Sequence, residues 1–155
     1  IGHEYGTGSN EFATINVNLN TGTWYHLAAV RDTTAKTWIL YVNGSAQPTF
    51  TYTNQATGGT ASQLNIGRGG SSTYYNGKID EVSIFNSAKS SSDITSIYNS
   101  GSPNDLSDLS NLVGWWRNGD PNGQAAFSTI IDQSSNTNNA TMNGMIAADI
   151  QTNIP

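Results

Sequence analysis

Apolar residues along this chain gather into short runs separated by turn chemistry. The run Trp24-Tyr25-His26-Leu27-Ala28-Ala29-Val30 follows the turn Asn20-Thr21-Gly22-Thr23 and is apolar at both alternating sets of positions, the pattern of a strand covered on both faces. Trp38–Val42 is a second such run. It ends in Asn43-Gly44, a strong hairpin signal because both residues accept positive φ. Leu64–Ile66, Lys78–Phe85 and Leu112–Arg117 read as further strands, and Ala140–Met145 as a last short one. One helix is predicted over Ser91–Asn99, with Ser91 or Ser92 as its cap and Ile94, Ile97 and Tyr98 at helical spacing. Gly101 and Pro103 stop it. The pattern predicts an all-β protein, a two-sheet antiparallel sandwich with one short helix.

Composition narrows the class further. The chain has 155 residues, one domain's worth of core, yet only 11% are charged while Asn, Ser and Thr fill 55 positions. Those side chains favour turns and caps over long helices. Aromatics at 10% argue against disorder. No apolar run approaches 18 residues, so membrane insertion is not expected. The net charge is -5 and the six basic residues are scattered. A nucleic-acid partner, which needs a basic stripe to displace phosphate counterions, is therefore excluded. Residues 100–155 hold five acidic residues and one basic, a balance suited to holding a cation. The absence of cysteine rules out disulfides and thiolate metal sites. The chain opens at Ile1 with no signal-like apolar stretch, which reads as a processing site or the start of a fragment.

Five blocks occur in a fixed order: W-Y-H-L-A-A-V, then L-Y-V-N-G, L-N-I-G-R, Y-N-G-K-I-D-E-V-S-I-F-N, and a short helix ending I-Y-N-S-G. Over Trp24–Gly101 this resembles the concanavalin A-like LamG (laminin G-like) jelly-roll superfamily, which hosts lectins, adhesion modules and glycan-cleaving enzymes. The resemblance implies a LamG-like sandwich at 1–102, a polar connector at 103–111, and a tail at 112–155 that packs on the sandwich or opens a following unit. About 23 residues precede Trp24, fewer than such a sandwich usually carries. The tail phrases Leu112–Asp120 and Ile131–Asn136 look like the strand and acidic loop that normally begin one. The sequence G-S-P-x-D-L-S, then L-V-x-W-W-R and a closing D-I-x-T-x-I-P also resembles C-terminal regions of marine bacteriophage structural and tail-fibre proteins.

Candidate chemistry is sparse. If Lys78–Phe85 is a strand, Asp80 shares a face with Val82 and Ile84, where a carboxylate must be hydrogen-bonded, paired or bound to a cation. One reading is a structural Ca2+ held by Asp80, Asp120 and Asp132 with loop carbonyls; the other is that Asp80 caps loop amides. His26 has only His3 as a histidine companion and reads as a core residue bonded to a loop. Asp80 and Glu81, adjacent on a strand, would point to opposite faces and so could not flank one glycosidic bond. No nucleophile elbow, phosphate loop or zinc-type His pair occurs, so an enzyme is not expected. Sugar stacking falls to Tyr74, Tyr75 and Trp116, with Arg68 as a polar neighbour. Strand alternation would expose at most one residue of each pair, Tyr74-Tyr75 and Trp115-Trp116. Trp24 and Trp38 are assigned to the core.

Three functions follow as expectations. The first is a non-catalytic structural or recognition module of a phage virion that contacts surface glycans or other virion proteins, with homo-oligomers possible. The second is a carbohydrate-binding module of a secreted bacterial protein, and the third a glycan-cleaving enzyme, for which a facing carboxylate pair is missing. The expected location is the virion or the extracellular space.

Overall fold

The computed structural model describes residues 2–4, 10–54, 64–69, 73–118 and 127–151. The chain forms two compact units, one of residues 1–59 with 87–104, the other of residues 60–86 with 105–154. Among the described residues every strand pairing is antiparallel. The described residues are all-β with one α-helix.

The first unit contains β1 (Gly2–Glu4), β2 (Asn10–Phe12), β3 (Leu27–Asp32), β4 (Thr37–Val42), β5 (Ser45–Ala46), β6 (Phe50–Thr51) and α1 (Ser91–Tyr98). Its main sheet runs β3-β4-β5, with β6 also on β4. The β3–β4 turn is organised by Asp32, whose Oδ1 accepts the Thr34 and Ala35 amides at 2.8 and 2.9 Å. Asn43 and Gly44 both take positive φ between β4 and β5, as the hairpin signal requires. The strand starting at Trp24 is shorter than predicted. The β3–β4 ladder ends at the Leu27–Val42 pair because Asn43 turns away. Ahead of Leu27, His26 is held by Asn43, its N–H donating to Asn43 Oδ1 and its carbonyl accepting the Asn43 N–H, both at 2.9 Å. Trp24, left without a ladder, is 39% exposed and not a core residue. The unit's buried residues include Tyr41, Tyr52 and Ile94. The Arg31 guanidinium lies 5.8 Å over Trp38 and 5.3 Å over Tyr52, and the Tyr52 hydroxyl donates to the Asp32 carbonyl.

Helix α1 forms where the periodicity placed it, but its cap is Ser90. Ser90 Oγ accepts the Asp93 N–H and Asp93 accepts the Ser90 N–H, a reciprocal box that satisfies two otherwise unbonded amides. Asn99 ends the helix in the left-handed conformation.

The second unit contains β7 (Arg68–Gly69), β8 (Thr73–Tyr74), β9 (Val82–Phe85), β10 (Leu112–Trp116), β11 (Thr129–Ile130) and β12 (Ala140–Thr141). Leu64–Ile66 is not a strand, and the pairing here falls on Arg68–Gly69 instead. The strand predicted from Lys78 begins only at Val82, because Glu81 has φ of 50° and breaks the extended run. The alternating-face argument for Asp80 and Glu81 therefore does not apply. The tail strand β10 pairs with β9 through Leu112–Phe85, Gly114–Ile84, Trp115–Ser83 and Trp116–Val82, with a bulge at Val113. Trp115, Trp116 and Leu106 are buried, the last of them inside the stretch read as a polar connector.

Candidate functional site

The site with the strongest recognition chemistry is the β7–β8 hairpin. Pairing of Arg68 with Tyr74 and of Gly69 with Thr73 forms it, and the Tyr75 N–H closes its base on the Gly67 carbonyl at 2.8 Å. Because β8 ends at Tyr74, alternation no longer governs Tyr75. Both rings stand in solvent, Tyr74 at 68% and Tyr75 at 61% exposure, against the expectation that one would join the core. Each is braced by a nearby residue. The Arg68 guanidinium lies 6.0 Å from the Tyr74 ring centroid, and the outer end of the Tyr75 ring lies over Gly77. Two braced, solvent-facing tyrosines beside a guanidinium offer apolar ring surface to sugar C–H groups, and hydroxyl and N–H groups to sugar oxygens.

Trp116 does not join this site. Its indole is 5% exposed, folds over Gly114, and donates Nε1–H to the Asn138 carbonyl at 2.9 Å. Trp115 is buried beside it, so neither ring of the pair reaches solvent. Assignment of Trp116 to ligand stacking is corrected accordingly: its indole is buried and bonded to the loop after Asp132 through the Asn138 carbonyl.

That loop is organised by Asp132, which is 4% exposed. Its Oδ1 accepts the N–H groups of Trp115 and Ser134, and its Oδ2 accepts the Asn138 N–H and the Ser134 hydroxyl, all at 2.8 Å. Burial pushes the carboxyl pKa up; the amides of Trp115, Ser134 and Asn138 and the Ser134 hydroxyl outweigh it and hold the group below the usual aspartate range. Asn138 Nδ2–H and the Ser134 hydroxyl also reach the Val113 carbonyl freed by the bulge, at 3.1 and 3.2 Å.

Four donors from the chain fill the acceptor positions of Asp132, which leaves it unsuited to a cation. Asp120 lies outside the described residues. Both Asp80 carboxylate oxygens are buried. Among the described residues no three His, Asp or Glu side chains converge as a metal centre would require. Asp132 is thus held by its own loop, and the Ca2+ set of Asp80, Asp120 and Asp132 includes a residue outside those described.

Sequence reasoning missed the role of Glu81. Its left-handed backbone turns the side chain to accept Trp115 Nε1–H at 2.6 Å and Arg117 Nε–H at 2.8 Å, and the Arg117 guanidinium lies 5.2 Å over the Trp115 ring. Ion pair and indole bond are intramolecular braces, and both carboxylate oxygens are engaged. In the other unit, His26 packs its ring 5.6 Å from Tyr98. Burial holds its pKa below the ordinary value, and its Nδ1 is buried with no hydrogen-bond partner among the described residues. The expected loop bond of His26 is thus made by its backbone.

Comparison with known proteins adds a family. The model for the concanavalin A-like lectin/glucanases superfamily matches residues 1–95. Among solved structures the chain is similar to part of an S-layer domain-containing protein from Clostridium thermocellum ATCC 27405, with 26% identity and a TM-score of 0.46. That match covers 60% of this chain and 47% of the other, so the chain spans about half the length of that structure. No curated protein matches.

Proposed function

Because the chain belongs to the concanavalin A-like lectin/glucanases superfamily, we propose that it is a non-catalytic recognition module that binds surface glycans through Arg68, Tyr74 and Tyr75. The observation that carries this reading is the exposure of two adjacent tyrosine rings on one short hairpin, each braced by a neighbour. Contiguous exposed apolar surface marks interaction sites, and a flat ring beside polar groups suits a pyranose. The superfamily includes glucanases as well as lectins. The non-catalytic reading is supported by the use of Glu81 and Asp132 as internal braces, which leaves neither placed as acid or base beside a substrate.

We further infer that the module works on a phage particle, in contact with host glycans or other virion proteins. The support is the resemblance carried by Gly101–Ser107 and Leu112–Arg117. A carbohydrate-binding module of a secreted bacterial protein is the alternative. A glycan array probed with the purified chain tests the binding reading, in parallel with release of reducing sugar from laminarin, agar and alginate. Binding without release is the expected result. Sugar release that disappears in Asp80→Asn or Glu81→Gln would replace the module by an enzyme.

A further inference from the structure

The geometry points to Gly77 as the residue that sets the lie of the Tyr75 ring, and therefore as a positioning residue for the proposed glycan shelf. The inference rests on the glycan reading above and deepens it. Glycine is usually retained in a turn for positive φ, but the φ of Gly77 does not lie in that region, so its backbone would accept an L side chain. The space would not. A Cβ built on Gly77 would stand 2.7 Å from Tyr75 Cε1 and 2.8 Å from both Cζ and the hydroxyl oxygen. Nothing in the hairpin backbone meets it within its three nearest contacts, since all three atoms belong to that ring.

The consequence separates recognition from folding. The Tyr75 backbone is fixed by its hydrogen bond to Gly67, whereas its exposed ring has open solvent to turn into once the space over Gly77 is filled. A methyl group at position 77 therefore swings the ring aside without disturbing the hairpin or the core. Tyr74 and Arg68 keep their own contact, so one ring of the shelf is displaced while the other stays.

The test compares Gly77→Ala, Tyr75→Ala and the unaltered chain by NMR and on one printed array of neutral and acidic oligosaccharides. Ring current from Tyr75 should displace the Gly77 Hα resonances from ordinary values, and Tyr75→Ala should return them. On the array, Gly77→Ala should lose signal to the same extent as Tyr75→Ala, with an unchanged melting temperature. Ordinary Gly77 Hα shifts in the unaltered chain would overturn the proposal, as would full array signal in Gly77→Ala beside loss in Tyr75→Ala. Full signal in Tyr75→Ala would overturn the glycan reading, and with it any part for Gly77 in recognition, while the NMR shifts would still report the ring contact.

Discussion

The carboxylate of Asp132 stands in for a neighbouring strand at Trp115: its Oδ1 accepts the Trp115 N–H at 2.8 Å, while the next residue, Gln133, donates its N–H to the Trp115 carbonyl at 2.8 Å. Asp132 and Gln133 thus complete the backbone bonding of Trp115, and Asp132 pins the loop whose Asn138 carbonyl accepts the Trp116 indole N–H.

Replacing Asp132 with Ala strands three backbone N–H groups, two of them in buried bonds. An abandoned buried donor costs about 1–3 kcal/mol, so the loss should be about 3 kcal/mol or more, roughly 6–12 °C in melting temperature for a chain of this size. Thermal melts of the variant check it. Melts of the unaltered chain in Ca2+ and in EDTA should superimpose, because the chain's own donors fill the positions a cation would use. A rise in Ca2+ would show that a cation is bound.

Gly114→Ala should destabilise by overpacking. Its Cβ would meet the Trp116 indole, with Cζ2 and Cζ3 each 2.9 Å away, and this ring is buried and hydrogen-bonded. The cost expected is about 1–3 kcal/mol, read from chemical denaturation with an unchanged m-value. The contrast with Gly77 is instructive: the same kind of clash is costly against a buried ring and cheap against an exposed one.

Stability should fall in two steps on acidification. Burial lowers the His26 pKa in the folded state, so below the unfolded value of about 6.5 the unfolded chain binds a proton that the folded chain does not, and stability declines as pH falls. Asp132, Asp93 and Asp105 are all held below the usual range. For Asp132 the amide bonds outweigh burial, for Asp93 the Ser90 backbone bond leads, and for Asp105 the Ser107 side-chain bond leads. Their contribution is complete above about pH 4 and is lost as pH drops through their folded values. Melting temperature against pH should show both steps, and His26→Gln should remove the upper one.

Truncation after Ser110 should unfold the second unit. It removes β10, the antiparallel partner of β9, together with both buried indoles. An exposed β9 edge should also promote aggregation. Far-UV circular dichroism and light scattering would register the two effects; a truncated chain that melts as the full chain does would show that the tail contributes nothing to the rest.

Local signals in the sequence located much of this fold. Asn43-Gly44 made its turn because both residues tolerate positive φ, and Ile94, Ile97 and Tyr98 made one helical face. The failures share a cause: alternation was extended past the point where a strand partner stops. Val42 has no successor in the ladder, so Trp24 is exposed. Glu81 takes a left-handed conformation that nothing in its residue type announces. Tyr75 lies one residue beyond β8, so the hairpin presents two rings instead of one. A signal for the Asp132 loop was available: Asp132, Ser134, Asn136 and Asn138 alternate along the chain, and short polar side chains at that spacing bond local backbone as readily as a cation.

Titration of the strongest array ligand into the unaltered chain and into Tyr74→Ala/Tyr75→Ala tests the central claim, that the exposed tyrosine pair is a glycan shelf. Truncating two ring anchors should cost about 2 kcal/mol or more, roughly a thirty-fold rise in Kd, with the melting temperature kept because neither ring lies in the core. Equal affinity in the two proteins would contradict it and place recognition elsewhere on the molecule.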